Sequence, residues 1–329
     1  MNINLILYDA APFCEPFEKI KDEFHYFKQI SNCFTTTSIV SMLTGKMPSD
    51  LESGGIGYET ESKYKKNGKI CWPWENKLLF SILQERGWNV NIYTDNQFFG
   101  DVISQRFKIN YENIDSEETI KKIQEQKIGN NINFILYNTY HDAIGGKITH
   151  EEAKQKINNS LELWNFNQED TIFWIFADHG DFTKITEKIS PVGYMTWAIL
   201  KDNTKNPIFP KTKLISIRDF FPTILEKLKI SIDDDIIKEE TRSVTKNFDK
   251  ERIYFVEDGR SHVDAYGSSA TAAITIEGLS DTGEILNMSQ INCYKYKKSE
   301  AVVENYTQLK ILKKILKERF SWLYNGEKY

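Results

Sequence analysis

The sequence predicts an α/β fold: a mainly parallel sheet sandwiched by helices, with a small antiparallel subdomain at the C-terminal end. Two observations predict the larger part. Apolar runs alternate with helix-like segments, as βαβ units do. Those runs are also continuously apolar rather than alternating, which fits strands covered on both faces. A third observation predicts the smaller part: beyond residue 250 three strand-like runs follow one another across polar turns.

Taken in order, residues 3–8 form a first strand and 37–43 a short helix. Residues 77–86 form a better helix, stopped by Gly87 at a C-cap position, and 88–94 follow as a strand. Charged residues of both signs across 118–127 mark a solvated helix face. Residues 132–137 are a strand, 151–164 a helix and 171–177 a strongly apolar strand. Shorter strands at 197–200 and 213–216 lead into the segment 218–228. Residues 231–247 turn from acidic to basic with little apolar content and predict an exposed connection. Strands at 252–257, 270–277 and 290–296 follow. In 308–323, Leu309, Leu312, Ile315, Leu316 and Phe320 recur at helical spacing, a core-facing stripe. The boundary falls at 1–250 and 251–329.

The 329 residues suffice for a sizeable core, and 40% apolar with 27% charged residues is ordinary for a globular chain. A net charge of −5 argues against nucleic acid, whose phosphates reward clustered Lys and Arg. No apolar run is long enough to span a membrane, and no basic leader with an apolar core opens the sequence. A cytoplasmic protein is the expectation. Cys14, Cys33, Cys71 and Cys293 show no CxxC spacing, so free thiols are expected, although four cysteines can pair in three ways.

Ligands of open parallel sheets gather outside the carboxyl ends of the strands. Asp9 follows the first strand, Asp178 and His179 follow another, and His141 with Asp142 lie just beyond a third. Asp178 and His179 offer a carboxylate and an imidazole. With Asp9 and a threonine oxygen they make a one-nitrogen, three-oxygen set suited to Zn²⁺ or Mn²⁺. Gly180 allows a tight turn and close backbone approach. The run Thr35, Thr36, Thr37 and Ser38 enters an apolar stretch ending at Gly45, as a helix start should. A hydroxyl there could be a nucleophile, activated by a cation and by the positive helix end. Each piece also has a structural reading: a capping Thr or Ser, and a strand-end turn closed by Asp178.

Together these segments resemble the alkaline phosphatase/sulfatase superfamily, and within it the sulfatase-like hydrolases and transferases that include phosphoethanolamine and phosphoglycerol transferases. The resemblance runs through residues 4–9, 24–48, 79–90, 178–181 and 216–225, about the first two-thirds of the chain. The family's nucleophile stands nine residues before the Thr of a Leu-Thr-Gly signature, and counting back from Thr44 reaches Thr35. Sulfatases carry at that position an oxidisable Cys or Ser within Cys-x-Pro-Ser-Arg. Here the run is Thr35, Thr36, Thr37, Ser38, Ile39, which resembles the phospho-transferring members with their phospho-threonine intermediate.

The resemblance implies that Asp9, Thr35, Asp178 and His179 ligate one divalent ion, Zn²⁺ first, with Mn²⁺ or Ca²⁺ as alternatives. It implies a substrate-side role for His141 and, more loosely, His262, and makes Lys46 and Lys184 candidate anion clamps. Many members carry a second acid beside the first-strand Asp, where this chain has Ala10, and it has five histidines in all, which points to a single metal. The expectation is a metal-dependent phosphohydrolase or phosphotransferase acting on a small-molecule or glycan-linked phosphate ester. The alternatives are sulfate-ester cleavage by unmodified Thr35, and a metal-stabilised binding module without turnover.

Overall fold

The computed structural model describes residues 1–11, 24–32, 35–46, 65–66, 69–70, 78–97, 100–101, 104, 109–114, 117–126, 129–180, 191–231, 241–247, 252–258, 269–280, 284–295 and 301–303. The predicted helix at 308–323 lies outside them, as do Cys14, Cys33, Cys71, Lys184 and His262.

The strands are β1 (Asn2–Tyr8), β2 (His25–Ile30), β3 (Lys65–Lys66), β4 (Lys69–Ile70), β5 (Asn89–Thr94), β6 (Tyr111–Glu112), β7 (Asn131–Tyr137), β8 (Thr171–Phe176), β9 (Met195–Asp202), β10 (Leu214–Ser216), β11 (Ile253–Asp258), β12 (Ser269–Leu279), β13 (Ile285–Lys295) and β14 (Ala301–Val303). The helices are α1 (Thr35–Thr44), α2 (Leu79–Gln84), α3 (Glu117–Gln124), α4 (Thr139–Ile144), α5 (His150–Glu162), α6 (Pro191–Tyr194) and α7 (Phe220–Lys227), the last entered through a 3-10 turn, Ile217–Asp219. Eight strands form one sheet in the order β10-β2-β9-β8-β1-β7-β5-β6. β9 runs antiparallel to β2 and β8, and the remaining neighbours are parallel. The expected mainly parallel α/β sheet is therefore what the chain forms.

β1, β7 and β8 are buried along their whole length because helices cover both faces. On one face Ile3, Leu5 and Leu7 pack with Met42 of α1, Phe80 of α2 and Ile224 of α7. On the other, Ile6 and Tyr8 pack with Ile120 of α3, Tyr140 of α4 and Ile157 of α5. Helix α5 starts at a capping box, in which Thr149 accepts from the Glu152 backbone N–H and Glu152 accepts from that of Thr149. Gly87, at a φ of +77°, ends the α2 turn as predicted. Among the described residues, no helix is long and apolar enough to cross a membrane.

Three strands open with the same pattern, Asn-x-Asn, and the register aligns them. Asn89 pairs with Asn131 and Asn131 with Asn2, while Asn91 pairs with Asn133 and Asn133 with Asn4. Their side chains form two hydrogen-bonded rows across β5, β7 and β1, at 2.8 to 3.0 Å. Buried amides need such partners, and here neighbouring strands supply them.

The strands β11-β12-β13-β14 form the predicted separate antiparallel sheet. Tyr254, Val256, Ile274 and Ile276 bury their side chains with Ile30, Tyr194 and Leu214 of the large sheet's flank. Arg252 reinforces the contact, holding Asp219 through two bonds of 2.7 and 2.6 Å and lying 4.5 Å from the Tyr254 ring centroid.

One expectation is corrected. The described part of the connection, residues 241–247, is only partly exposed: Thr241, Ser243 and Val244 are buried, while Lys246 and Asn247 face solvent. Val244 joins the core, its N–H donates to Thr223 Oγ1, and the Arg242 N–H donates to Asp219 Oδ1. Low apolar content misled because α7 and the turn before it supply acceptors for this backbone.

Candidate active site

The site is built at the ends of β1 and β8 and the start of α1. Asp9 leaves β1 with its N–H on the Tyr137 carbonyl at 2.9 Å. Ala10 follows at a φ of +57°, a left-handed conformation that costs a residue with a Cβ about 1–2 kcal/mol. The return is local: the turned Ala10 N–H donates to Asp178 Oδ1 at 3.0 Å. Asp178 Oδ1 also accepts the His179 N–H at 3.0 Å. This leaves Asp178 Oδ2 buried, with no hydrogen-bond partner among the described residues.

His179 donates Nδ1–H to the Gly180 carbonyl at 2.7 Å, which fixes the tautomer and directs Nε2 inward. Gly180 in turn donates to the Gly193 carbonyl at 2.7 Å. Thr35 is the first residue of α1, and its hydroxyl lies 3.2 Å from Asp9 Oδ1 and 3.0 Å from His179 Nε2. His179 Nε2 is 3.5 Å from Asp9 Oδ1 and 3.7 Å from Asp178 Oδ2. All four side chains are buried, none more than 6% exposed.

Burial pushes Asp178 up to about 6, with nearby Asp9 adding to the rise against the pull of His179. For His179 burial works downward, but Asp178 and Asp9 outweigh it and raise the imidazole to about 9. Two carboxylates sharing a dry pocket with a single imidazole suit a cation. Tetrahedral zinc, with bonds of about 2.0–2.2 Å, sets its ligand atoms roughly 3.4 Å apart, and the distances here, 3.0 to 3.7 Å, bracket that spacing. The ligand atoms of Asp9, Asp178 and His179 all lie within 4.8 Å of one another. The orphan Asp178 Oδ2 points to the same fit.

The structure thus brings together Asp9, Thr35, Asp178 and His179. His141 stands apart, exposed on α4 beyond β7 and outside that cluster. Lys46 lies past the far end of α1, whose ten residues at about 1.5 Å rise set it roughly 15 Å from Thr35. It is not beside the hydroxyl.

Residues not singled out from the sequence hold the site in place. Gln29 is 1% exposed and donates Nε2–H to the Ala177 carbonyl at 2.8 Å, Ser31 Oγ at 2.9 Å and Thr196 Oγ1 at 3.0 Å. It ties β2, β8 and β9 together one residue before Asp178. Asn32 donates to the Thr37 carbonyl at 3.1 Å and to Ser41 Oγ at 2.9 Å, and its own carbonyl accepts from Ser38 Oγ at 3.2 Å, anchoring the start of α1. The signal was present as an uncharged polar pair ahead of a hydroxyl-rich helix start.

No family model and no curated protein matches the sequence. Solved structures do. A protein in the alkaline phosphatase superfamily from Vibrio parahaemolyticus superposes with a TM-score of 0.60 at 13% identity, covering 99% of this chain and 87% of that one. The fold is that of the alkaline phosphatase superfamily. Two further structures share it: the lipoteichoic acid synthase LtaP from Listeria monocytogenes (TM-score 0.53, 13% identity, 98% and 92% covered) and the C-terminal periplasmic domain of EcEptC from Escherichia coli in complex with zinc (0.52, 12%, 78% and 88%). At such identities the likeness establishes the alkaline phosphatase fold alone. The chemistry must be argued from the residues.

Proposed function

We propose that this chain is a metal-dependent hydrolase or transferase of phosphate esters that works through a covalent phospho-Thr35 intermediate. The observation that carries the reading is the placement of the Thr35 hydroxyl between the Asp9 carboxylate and the His179 imidazole at the start of a helix. Asp9, Asp178, His179 and Thr35 hold one divalent ion, with zinc favoured by the single-imidazole donor set and by the zinc complex of the EcEptC domain. When bound, the ion supplies Lewis-acid stabilisation of the attacking oxygen and of the phosphoryl charge.

The chain's own residues do the rest. Thr35 Oγ attacks phosphorus in line with the ester oxygen: the Oγ–P bond forms, the P–O bond to the leaving group breaks, and the hydroxyl proton passes to Asp9 Oδ1 at 3.2 Å. The leaving oxygen takes a proton from water. Water, or an acceptor hydroxyl, then attacks phosphorus and frees Thr35. The first-turn N–H groups of α1 favour the anionic group. The substrate class is a small-molecule or glycan-linked phosphate ester.

The test pairs metal analysis with turnover of bis-p-nitrophenyl phosphate and p-nitrophenyl phosphate, wild type against Thr35→Ala. About one zinc or manganese per chain with Thr35-dependent turnover supports the mechanism. Full activity in Thr35→Ala rules it out, and absence of both metal and turnover returns the chain to a binding module.

A further inference from the structure

Asn138, the first residue past β7, holds a side-chain donor that no described residue accepts. Its position follows from the sheet. Tyr8 is level with Tyr137 and Thr94 with Leu136, and the Asp9 N–H continues the ladder onto the Tyr137 carbonyl. Asp9, Asn138 and Asn96 therefore stand level with one another just beyond the strand ends. Neighbouring strands lie about 4.8 Å apart, so Asn138 is the β7 neighbour of Asp9, on the side away from Asp178. Side chains alternate along a strand. Tyr8, Tyr93 and Tyr137 face α3, α4 and α5, which leaves Asp9, Asn96 and Asn138 to the opposite face, the one that α1 covers.

The orientation of the carboxamide is fixed as well. The Asn138 N–H donates to Asp95 Oδ1 at 2.7 Å, and its Oδ1 accepts from Asn96 Nδ2 at 2.9 Å. Asn138 is the N-cap of α4, where an asparagine oxygen ordinarily caps the first turn. Here the side chain makes no capping bond, because its oxygen is turned sideways to Asn96. That turns Nδ2 the other way, toward β1. Asn131 and Asn133 have the same polarity on the opposite face, and there Asn2 and Asn4 of β1 take the donor. At the level of Asn138 the β1 residue is Asp9, and no bond joins the two. The residue is half-buried and its Nδ2 is not, so the N–H groups open onto the mouth of the site.

A held donor beside a nucleophile suits a group that only accepts. The oxygens of a phosphoryl group are such acceptors, and a donor fixed in advance stabilises charge there without reorganising. Asp178 and His179 stand on the β8 side of Asp9, so Asn138 serves the β7 side. We propose that Asn138 is a substrate-binding residue, whose Nδ2–H donates to a non-bridging oxygen of the phosphate ester that Thr35 attacks. The inference rests on the phosphate-ester reading of the site and adds to it a contact that neither the nucleophile nor the metal ligands supply.

The test is calorimetric titration of inorganic phosphate into the zinc-loaded full chain, as wild type, Asn138→Ala and Asn138→Asp. Asn138→Ala should bind phosphate at least about tenfold more weakly, with zinc content and melting temperature unchanged. Asn138→Asp still accepts from Asn96 but replaces the donor with a negative oxygen, so it should bind more weakly still. A residue that only held Asn96 in place would give the reverse order, with Asn138→Asp near the wild type. That order, equal affinity in Asn138→Ala, loss of zinc along with phosphate, or no phosphate binding by the wild type overturns the proposal. Turnover in Thr35→Ala judges the covalent mechanism separately: phosphate binding that depends on Asn138 beside full Thr35→Ala activity would sink the intermediate and keep this contact.

Discussion

Thr35 and His179 are 144 residues apart in sequence, yet the threonine hydroxyl stands 3.0 Å from the Nε2 of an imidazole whose other nitrogen is committed to the Gly180 carbonyl. That relationship sets a hydroxyl against an inward-facing ring nitrogen among buried side chains.

If Thr35 is the nucleophile, Thr35→Ala should lower aryl phosphate turnover by about 10³-fold or more, in line with the loss of other enzymes' nucleophiles. Thr35→Ser should retain a measurable rate. Acid-quenched wild type should carry the mass of one phosphoryl group on the peptide containing Thr35, and an unmodified peptide under burst conditions would sink the intermediate. Aryl sulfate should be turned over more slowly than aryl phosphate.

Removing Asp178 Oδ2 as a ligand tests the metal. Asp178→Asn, nearly isosteric, should reduce bound zinc well below one per chain, read by elemental analysis after desalting. Chelation of the wild type should lower its melting temperature, since an ion at 100 times its Kd stabilises by about 2.7 kcal/mol. An unchanged melting temperature would speak against a structural share for the ion.

Metal affinity should depend on pH with a definite sign. Without a bound cation His179 stays protonated up to about 9, because Asp178 and Asp9 together outweigh the downward effect of burial. A ligand lone pair must be freed of its proton, so affinity should rise roughly tenfold per pH unit between about 6 and 9 and flatten above. Below about 6 Asp178 also takes up a proton and the dependence should steepen. Competition against a metal buffer across this range would reveal it; a flat profile from about 6 to 9 would contradict it.

Gln29 is expected to matter without touching any ligand. Gln29→Met takes the side-chain donor from the Ala177 carbonyl, while the Ser31 and Thr196 hydroxyls keep each other at 2.9 Å. Thermal denaturation should show a loss of about 1–3 kcal/mol, the cost of one buried unsatisfied group, and metal occupancy should fall with it. Loss of stability at full occupancy would mean that the Asp178 turn does not depend on this anchor.

Arg252→Met should destabilise by about 3–5 kcal/mol, because it leaves Asp219, 1% exposed, as a buried uncompensated charge. Pairing it with Asp219→Asn should recover part of the loss. Urea unfolding of the two single variants and the double variant measures the coupling.

The fold was legible where burial is two-sided. β1, β7 and β8 read as unbroken apolar runs because neither face meets water. β2 was not legible: His25, Tyr26, Lys28 and Gln29 break the run, and Gln29 is buried for its hydrogen bonds rather than its hydrophobicity. The reversed direction of β9 leaves no mark on composition. At the site, the strand-end acids, the imidazole and the helix-start hydroxyl were readable because position in an α/β sheet constrains them. The separation of Lys46 from Thr35 follows only once α1 is known to run as one ten-residue helix. The repeated Asn-x-Asn at three strand starts was visible in the letters. Asparagine ordinarily marks turns, so its pairing became evident only with the register in hand.

That register has a consequence at the other end of the sheet. Sliding β7 by one residue would turn Asn131 and Asn133 into the opposite, wholly apolar layer, and sliding it by two would leave a carboxamide without its mate. The strands can therefore start at only one level, and the height at which Asp9 emerges beside Tyr137 is set with it. The asparagine rows act as a levelling device for residues they never touch.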